Sequence, residues 1–242
     1  MSKGIDNGGF SLYINAEMKE VKEKVIEKVI VGVVSYFPDN EYRAERIRRC
    51  RRLVADCERL FGVPIVVIAQ NWESEDVRAE KLVRMEYPKL GITKARKRLW
   101  EYFRASGHEW MICFDDDCSL VGDEADGRRF VEELKKHKGG YVLGKKNEFK
   151  LCAFHRSVAE RYDIPDVDVD EGTGIEDYAF FRLLEEHYPD GELAVDKGTL
   201  AETSSWKDDE ATTWNRSNLQ TAKLLQKTAV YIKKYGKSAE YS

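Results

Sequence analysis

Apolar residues along the first half of the chain form short, nearly continuous stretches that alternate with segments of helical spacing. The stretches VIVGVVSYF (29–37), PIVVIAQN (64–71) and WMICF (110–114) are rich in β-branched and aromatic side chains, which is typical of strands buried on both faces. Between the first two, apolar residues recur at helical spacing from Ile47 to Phe61 and predict an amphipathic helix. This strand–helix–strand order predicts parallel strands joined by right-handed crossovers.

The rest of the chain continues the alternation of strands and helices. GITKARKRLWEYFRASG (91–107) predicts a helix that leads into the third strand, and the segment 215–235 predicts a closing C-terminal helix. Further helices are expected at 126–137 and 175–188, and further strands at 139–145 and 150–155. The pattern as a whole predicts an α/β fold, with an open, mostly parallel sheet flanked by helices. Ligands of such sheets bind outside the carboxyl ends of the strands.

Composition narrows the class of protein. The chain has 242 residues, 42% hydrophobic and 35% charged, so we expect a globular α/β domain with a full core. The net charge of −4 provides no global basic field for nucleic acid. Five cysteines without a CxxC pair predict reduced thiols rather than a zinc site. Since no signal-peptide h-region and no apolar run of about 18–20 residues is visible, a soluble cytoplasmic protein without a membrane span is expected.

An acidic cluster directly follows the third predicted strand. WMICF runs into Asp115, Asp116 and Asp117, although burying an unpaired carboxylate is costly and adjacent carboxylates repel each other. Either water solvates them as an acidic, helix-capping loop, or a positive charge lies on them. Carboxylates at positions i and i+2 of a strand end can share Mg²⁺ or Mn²⁺, with phosphate oxygens and water completing the shell. Because this strand end belongs to the expected ligand-binding edge, we favour the second interpretation.

The segment GITKARKRLWEYFRASGHEWMICFDDDCSL (91–120) resembles the core of GT-A-fold glycosyltransferases, especially the inverting family 2. That family has a Gly, an Ala-Arg pair, a helix and an apolar strand ending in an Asp-x-Asp motif, matched here by Gly91, Ala95-Arg96 and Asp115 to Asp117. VIVGVVSYF resembles the first nucleotide-binding strand, and GTGIEDYAFF (172–181) resembles the Glu-Asp motif, so the resemblance covers about residues 29–200. Lys97 departs from the family, where Asn is common.

The resemblance implies a binding site for a nucleoside diphosphate sugar at the strand ends. Ser35 and Tyr36, at the end of the first strand, would contact the nucleobase. Arg96 would contact the base or the diphosphate. A UDP-sugar is the first candidate donor, and Mn²⁺ or Mg²⁺ is the expected cofactor.

The resemblance also gives the three aspartates different roles. Asp117 would bind the metal directly, and Asp115 would approach the ribose or the metal. Asp116, the middle residue, would point away from them or toward the donor sugar. Many family members add a later His as a metal ligand, but the last histidine here is His187, inside a predicted helix. The third metal ligand therefore stays open.

Glu176 and Asp177 are the candidate catalytic carboxylates, with Asp177 preferred as the general base. An inverting transfer needs one carboxylate within hydrogen-bond reach of the acceptor hydroxyl. The pair opens a predicted helix, whose dipole favours the ionised form. Gly172 and Gly174, just before the pair, allow tight turning. The competing interpretation is that these acidic residues only cap the helix.

The predicted function is a metal-dependent glycosyltransferase that moves a sugar from a nucleoside diphosphate sugar to an acceptor hydroxyl with inversion. Residues 1–28 are expected to form an N-terminal arm with a short helix, and residues 29–242 a single GT-A-type catalytic domain. Within it, the nucleotide-sugar half covers about 29–120 and the acceptor half about 121–214. The acceptor could be a saccharide or another hydroxyl compound, and the sequence does not identify it.

Three alternatives remain open from the sequence. The same chemistry on hydroxymethylated DNA bases is favoured by the basic runs RIRRCRRL (46–53) and KARKR (94–98), although Glu45 and Asp56 could neutralise the first run on a solvated helix face. A nucleotidyltransferase would also use paired aspartates, but VSYFPDNE (34–41) lacks the expected glycine-rich phosphate loop. A non-catalytic nucleotide-sugar-binding module would need no general base.

Overall fold

The computed structural model describes residues 27–72, 77–116, 118–143, 149, 151–165, 176–187 and 201–202. In these residues the chain alternates strands and helices. The elements, in chain order, are β1 (Val29–Tyr36), α1 (Arg43–Phe61), β2 (Ile65–Gln70), β3 (Leu82–Tyr87), α2 (Ile92–Ser106), β4 (Trp110–Asp115), β5 (Ser119–Leu120), α3 (Glu124–Lys136), β6 (Tyr141–Leu143), β7 (Cys152–His155), α4 (Arg156–Arg161), α5 (Glu176–His187) and β8 (Ala201–Glu202).

Six of the strands form one mostly parallel sheet in the order β3-β2-β1-β4-β7-β6. Strands β3, β2, β1 and β4 run parallel, and β7 is antiparallel to both β4 and β6. Strands β5 and β8 form a separate two-stranded sheet. The predicted fold class, an open and mostly parallel sheet flanked by helices, is confirmed. Strand β3 was not predicted, because Arg84 and Glu86 interrupt its apolar pattern on the half-exposed edge of the sheet.

Helices cover both faces of the sheet, and the side chains of each strand alternate between the two faces. In β1, Val29, Val31 and Val33 pack in the core under α1 and α3. Ile30 and Val34 pack in the opposite core, under α2, α4 and α5. Burial on both faces explains why the central strands read as continuous apolar stretches.

Two glycines fix the path of the helices over the central strand. Gly62 ends α1 in the left-handed conformation, with φ of 63°, and its N–H donates to the carbonyl of Glu58. Gly32 in β1 lies directly under α2, since a Cβ at this position would lie 2.9 Å from both Leu99 Cδ atoms and from Met111 Sδ. The absence of this Cβ lets α2 pack closely on β1.

The order of the strands creates a topological switch point between β1 and β4. The chain leaves β1 through α1 on one face to reach β2, and returns through α2 on the other face to reach β4. In open α/β sheets, ligands bind in the crevice that opens there, outside the carboxyl ends of the strands. The fold therefore places a candidate crevice between Tyr36 and Asp115.

Some predictions on organisation concern segments outside the described residues. They are the N-terminal arm and short helix at 1–28, of which only 27 and 28 are described, and the closing helix at 215–235. The predicted single catalytic domain and its two halves stay a prediction. Among the described residues, no helix combines the length and apolar character that crossing a membrane requires.

Candidate functional site

The ends of β1 and β4 bring four of the predicted site residues together. Val34 pairs with Asp115 across the two strands, so Ser35 and Tyr36 lie beside Asp115 and Asp116 at the carboxyl edge of the sheet. Ser35 is buried, whereas the ring of Tyr36 is partly exposed and lies 5.7 Å from Lys89 Nζ.

Consecutive aspartates point to opposite faces of the sheet. Met111 and Cys113 of β4 pack on the α2 face, and the alternation of side chains directs Asp115 to that face as well. Asp116 follows it and lies on the α1 face, where Arg46 meets it. The backbone therefore separates two carboxylates that would repel each other side by side, and each has its own arginine.

Asp115 forms an ion pair with Arg96 of α2. Arg96 Nη2 donates to both carboxylate oxygens, at 2.9 and 2.8 Å. The side chain of Arg96 is only 7% exposed and that of Asp115 is 21% exposed. The guanidinium also lies 4.5 Å from the ring centroid of Phe149, within the range of a cation–π interaction. Charge and packing therefore hold Arg96 beside the crevice.

Asp116 is more enclosed than Asp115, with 3% exposure. Its Oδ2 accepts from Ser35 Oγ at 2.7 Å and from the backbone N–H of Tyr36 at 3.2 Å. Its Oδ1 lies 2.9 Å from Arg46 Nη2. A buried charge is tolerated when it is paired and hydrogen-bonded, and Asp116 meets both conditions within the protein.

Sequence reasoning missed two residues of this network, Arg46 and Trp72. Arg46 belongs to the basic run for which the sequence allowed a solvated helix face, and its position in the first turn of α1 brings it to the carboxyl edge. Trp72 Nε1 donates to Ser35 Oγ at 3.2 Å, and its ring stacks on Phe37 at 4.7 Å between centroids. The Ser35 hydroxyl thus accepts from Trp72 and donates to Asp116.

In the rest of the basic run, Arg48, Arg51 and Arg52 are exposed, as a solvated helix face predicts, whereas Arg49 is buried. Arg48 and Arg49 donate to Glu45, and these hydrogen bonds lower the pKa of Glu45 to about 2. Arg52 and Arg59 pair with Asp56. Glu45 and Asp56 balance at most two of these four positive charges, so the DNA-binding alternative stays a prediction.

The N-terminus of α2 lies at the same edge and suits an anion. The helix has no acidic residue in its first turn and no side-chain cap, so its dipole presents positive charge to the crevice. Gln70 fixes the segment before the helix, because its Oε1 accepts from the N–H of Leu90 at 2.8 Å. Arg96 lies one turn into the helix, where its positive charge is balanced by Asp115.

The thiols near Asp115 are buried. Cys113 of β4 lies directly opposite Cys152 of β7 in the sheet register. Burial is the main cause that raises the pKa of the Cys152 thiol well above its usual value, and a hydrogen bond with Cys113 adds to it. A protonated thiol is a poor nucleophile. All five cysteines of the chain are free, as predicted.

The described residues do not form a site for a divalent cation. They contain no group of three or more His, Cys, Asp and Glu side chains that could hold a metal ion. Asp115 and Asp116 have arginine partners, and Asp117, the first predicted ligand, lies outside the described residues. The ring of His187 packs against Tyr162, at 5.3 Å between centroids. Metal binding stays a prediction that depends on Asp117.

The predicted catalytic carboxylates begin a helix, as expected. Glu176 and Asp177 are the first two residues of α5, and their side chains are outside the described part. Phe180, three residues after Asp177, packs 6.0 Å from Phe149 between ring centroids, and Phe149 packs on Arg96. This chain of contacts places the first turn of α5 on the α2 face, which is also the face of Asp115.

Comparisons with known proteins add the following. No protein family model and no curated protein matches the chain. One similar solved structure is that of a Bacillus anthracis protein assigned as a glucose-1-phosphate thymidylyltransferase and crystallised with a sucrose. It is 13% identical, the match covers 55% of this chain and 73% of that chain, and the TM-score is 0.36. This likeness is too low to carry an argument about function, and membership of the GT-A family stays a prediction.

Proposed function

We propose that the protein transfers a sugar from a nucleoside diphosphate sugar to a hydroxyl group, and that the donor binds between the ends of β1 and β4. One observation carries the proposal: the switch point of the sheet, the N-terminus of α2 and Arg96 lie together at the carboxyl edge of the sheet. An open α/β sheet binds ligands at this point, and the positive end of a helix together with an arginine suits a diphosphate.

Each residue at the edge has chemistry that suits one part of the donor. The partly exposed ring of Tyr36 offers a face for a nucleobase. Arg96 and the first N–H groups of α2 offer donors to the diphosphate oxygens. Asp115, held by Arg96, can accept a hydrogen bond from a ribose hydroxyl on its exposed side. A Mn²⁺ or Mg²⁺ ion stays an expectation from the sequence, and no step below depends on it.

Asp177 is the proposed general base. It would take the proton of the acceptor hydroxyl as that oxygen attacks the anomeric carbon from the face opposite the diphosphate. The bond from the anomeric carbon to the diphosphate oxygen breaks, and the nucleoside diphosphate leaves. Arg96 and the dipole of α2 would stabilise the negative charge that develops on the leaving group.

A matched pair of variants separates a catalytic base from a helix cap. Asp123 caps α3, with its side chain accepting from the N–H of Asp126 at 2.9 Å. The carbonyl of the preceding Gly122 accepts from Arg59 in the last turn of α1, at the edge of the sheet opposite the crevice. Since Asn caps helices about as well as Asp, Asp123→Asn should leave turnover and stability unchanged. Asp177→Asn should lower turnover by at least about 100-fold and retain donor binding. Equal turnover of the two variants would refute the assignment of Asp177.

A thermal-shift screen with nucleotide sugars, followed by product analysis, tests the function itself. Binding to the folded state raises the melting temperature, so at least one nucleoside diphosphate sugar should stabilise the protein. Glycosyl transfer releases a nucleoside diphosphate, whereas nucleotidyl transfer to a sugar phosphate consumes a nucleoside triphosphate and releases pyrophosphate. Pyrophosphate release would favour the nucleotidyltransferase alternative. Nucleotide binding without either product would favour a binding module.

A further inference from the structure

We infer that Asp116 is a positioning residue that fastens the ends of β1, β4 and α1 together, and that it is not a ligand of the donor. We call Asp116 and its two side-chain partners, Arg46 and Ser35, the strand-end anchor. The inference rests on the proposed function and deepens it, since it identifies what sets the shape of the donor crevice.

The strand-end anchor lies just beyond the last backbone pair between β1 and β4. The pairing of β1 with β4 runs up to Val34 and Asp115, and the N–H of Asp116 still donates to the carbonyl of Val34 at 3.2 Å. The next N–H of β1 at this edge, that of Tyr36, donates to the carboxylate of Asp116 instead of a backbone carbonyl. A side chain thus joins two strand ends at the point where the sheet opens into a crevice.

Both oxygens of the Asp116 carboxylate have protein partners. Oδ2 accepts from the Ser35 hydroxyl and from the N–H of Tyr36, and Oδ1 pairs with Arg46. Only 3% of the residue is exposed, so a ribose or sugar hydroxyl could reach this carboxylate only after one of these donors had moved. The same carboxylate is well placed to hold its neighbours still.

The anchor acts on the donor through residues on either side of it. Tyr36 receives its position from the hydrogen bond to Asp116, and Asp115 precedes Asp116 in the chain. Trp72 extends the network, because it donates to Ser35 Oγ from the end of β2. Arg46, on the opposite face of the sheet from Arg96, should therefore influence donor affinity through Asp116.

A double-mutant cycle on nucleotide binding tests this role. Binding of UDP, GDP, dTDP and ADP, each with MnCl₂, is measured by calorimetry for wild type, Asp116→Asn, Arg46→Gln and the double variant. If Asp116 sets the shape of the crevice, each single variant lowers the affinity for the nucleotide by on the order of 10-fold to 100-fold. The double variant then loses no more than either single variant, since both changes remove the same anchor. Arg46→Lys should recover part of the affinity, because it keeps the positive charge.

Two further variants keep the test decisive. Arg48→Gln changes an exposed arginine of the same helix that pairs with Glu45. This variant should bind the nucleotide with the affinity of wild type. If Arg46→Gln does not fold, Ser35→Ala replaces it: this change should weaken nucleotide binding in wild type and have no effect in Asp116→Asn. Equal effects of Ser35→Ala in both backgrounds would overturn the inference.

The outcomes also separate this inference from the proposed function. If wild type binds a nucleotide and Arg46→Gln binds it equally well while Asp116→Asn does not, Asp116 is a direct ligand and the inference is wrong. If wild type binds none of the four nucleotides, the proposed function fails and the inference fails with it.

Discussion

Replacing Arg96 by Met removes the positive charge from Asp115 and keeps most of the volume of the side chain. Arg96 is nearly buried, and its Nη2 donates to both oxygens of Asp115, at 2.9 and 2.8 Å. Its guanidinium also stacks on Phe149. The variant therefore leaves a carboxylate without its cation beside an apolar cluster, which tests whether this ion pair stabilises the end of β4.

The expected cost follows from the contacts that are lost. A hydrogen bond to a charged group contributes about 1.5–3 kcal/mol, and a cation–π contact contributes about 0.5–1 kcal/mol or more. Breaking a fully buried pair costs about 3–5 kcal/mol, but the 21% exposure of Asp115 lets water solvate part of the charge. We therefore expect Arg96→Met to lower the free energy of unfolding by about 2–4 kcal/mol.

Arg98 in the same helix provides the matched control. It pairs with Glu101 at 2.7 Å, and both side chains are at least half exposed. Surface pairs of this kind contribute about 1 kcal/mol or less, so Arg98→Met should change stability little. Urea denaturation followed by circular dichroism gives the free energy of unfolding of both variants.

A double variant separates the contribution of the ion pair to stability from that of packing. Asp115→Asn removes the charge that Arg96 balanced, so Arg96→Met together with Asp115→Asn should be more stable than Arg96→Met alone. The reasoning would be refuted if Arg96→Met were no less stable than Arg98→Met, or if Asp115→Asn further destabilised Arg96→Met.

Two further predictions concern packing and pH. A Cβ on Gly127 of α3 would collide with the backbone carbonyl oxygen of Leu60. Gly127→Ala should therefore destabilise the protein by about 1–3 kcal/mol in thermal unfolding, although Ala favours helices. The control Gly139→Ala should leave stability unchanged, because the nearest neighbour of its Cβ is Ser157 Oγ at 3.6 Å. A Gly127→Ala protein as stable as wild type would contradict the packing argument. The pKa of Glu45 is lowered from 4.5 to about 2 by hydrogen bonds from Arg48 and Arg49, so its stabilisation is complete above pH 4.5 and is lost as pH falls toward 2. The difference in urea midpoint between wild type and Glu45→Gln should therefore shrink between pH 7 and pH 3, and a constant difference would count against the ion pairs.

The central strands could be predicted because burial on both faces leaves a continuous apolar pattern in the sequence. β1, β2 and β4 all show this pattern, and all three lie at the middle of the sheet. β3 does not, since this edge strand, LVRMEY, is only partly buried and carries Arg84 and Glu86 among its apolar residues. The two-residue strands β5 and β8 are too short to leave any periodic pattern.

The position of the candidate residues in the sheet could be predicted better than their contacts. The acidic cluster could be placed at the ligand-binding edge because strand order fixes where carboxyl ends meet. The partner of Asp116 could not be found from spacing, since Ser35 and Asp116 are 81 residues apart and meet only through the sheet. One signal was present in the sequence: period-two alternation directs Asp115 and Asp116 to opposite faces, which argues against treating them as one cluster. Tertiary pairing with Arg46 and Arg96 supplied the positive charge that the carboxylates require.

Hydrogen–deuterium exchange of the whole chain, with and without the nucleotide sugar that raises its melting temperature most, tests the central claim directly. The claim is that the donor binds at the switch point between β1 and β4. The account predicts slower exchange in peptides that contain Tyr36, Asp115 and the start of α2 at Ile92, and unchanged exchange on the outer faces of α1 and α3. Protection confined to α1 and α3, or no protection at the ends of β1 and β4, would contradict it.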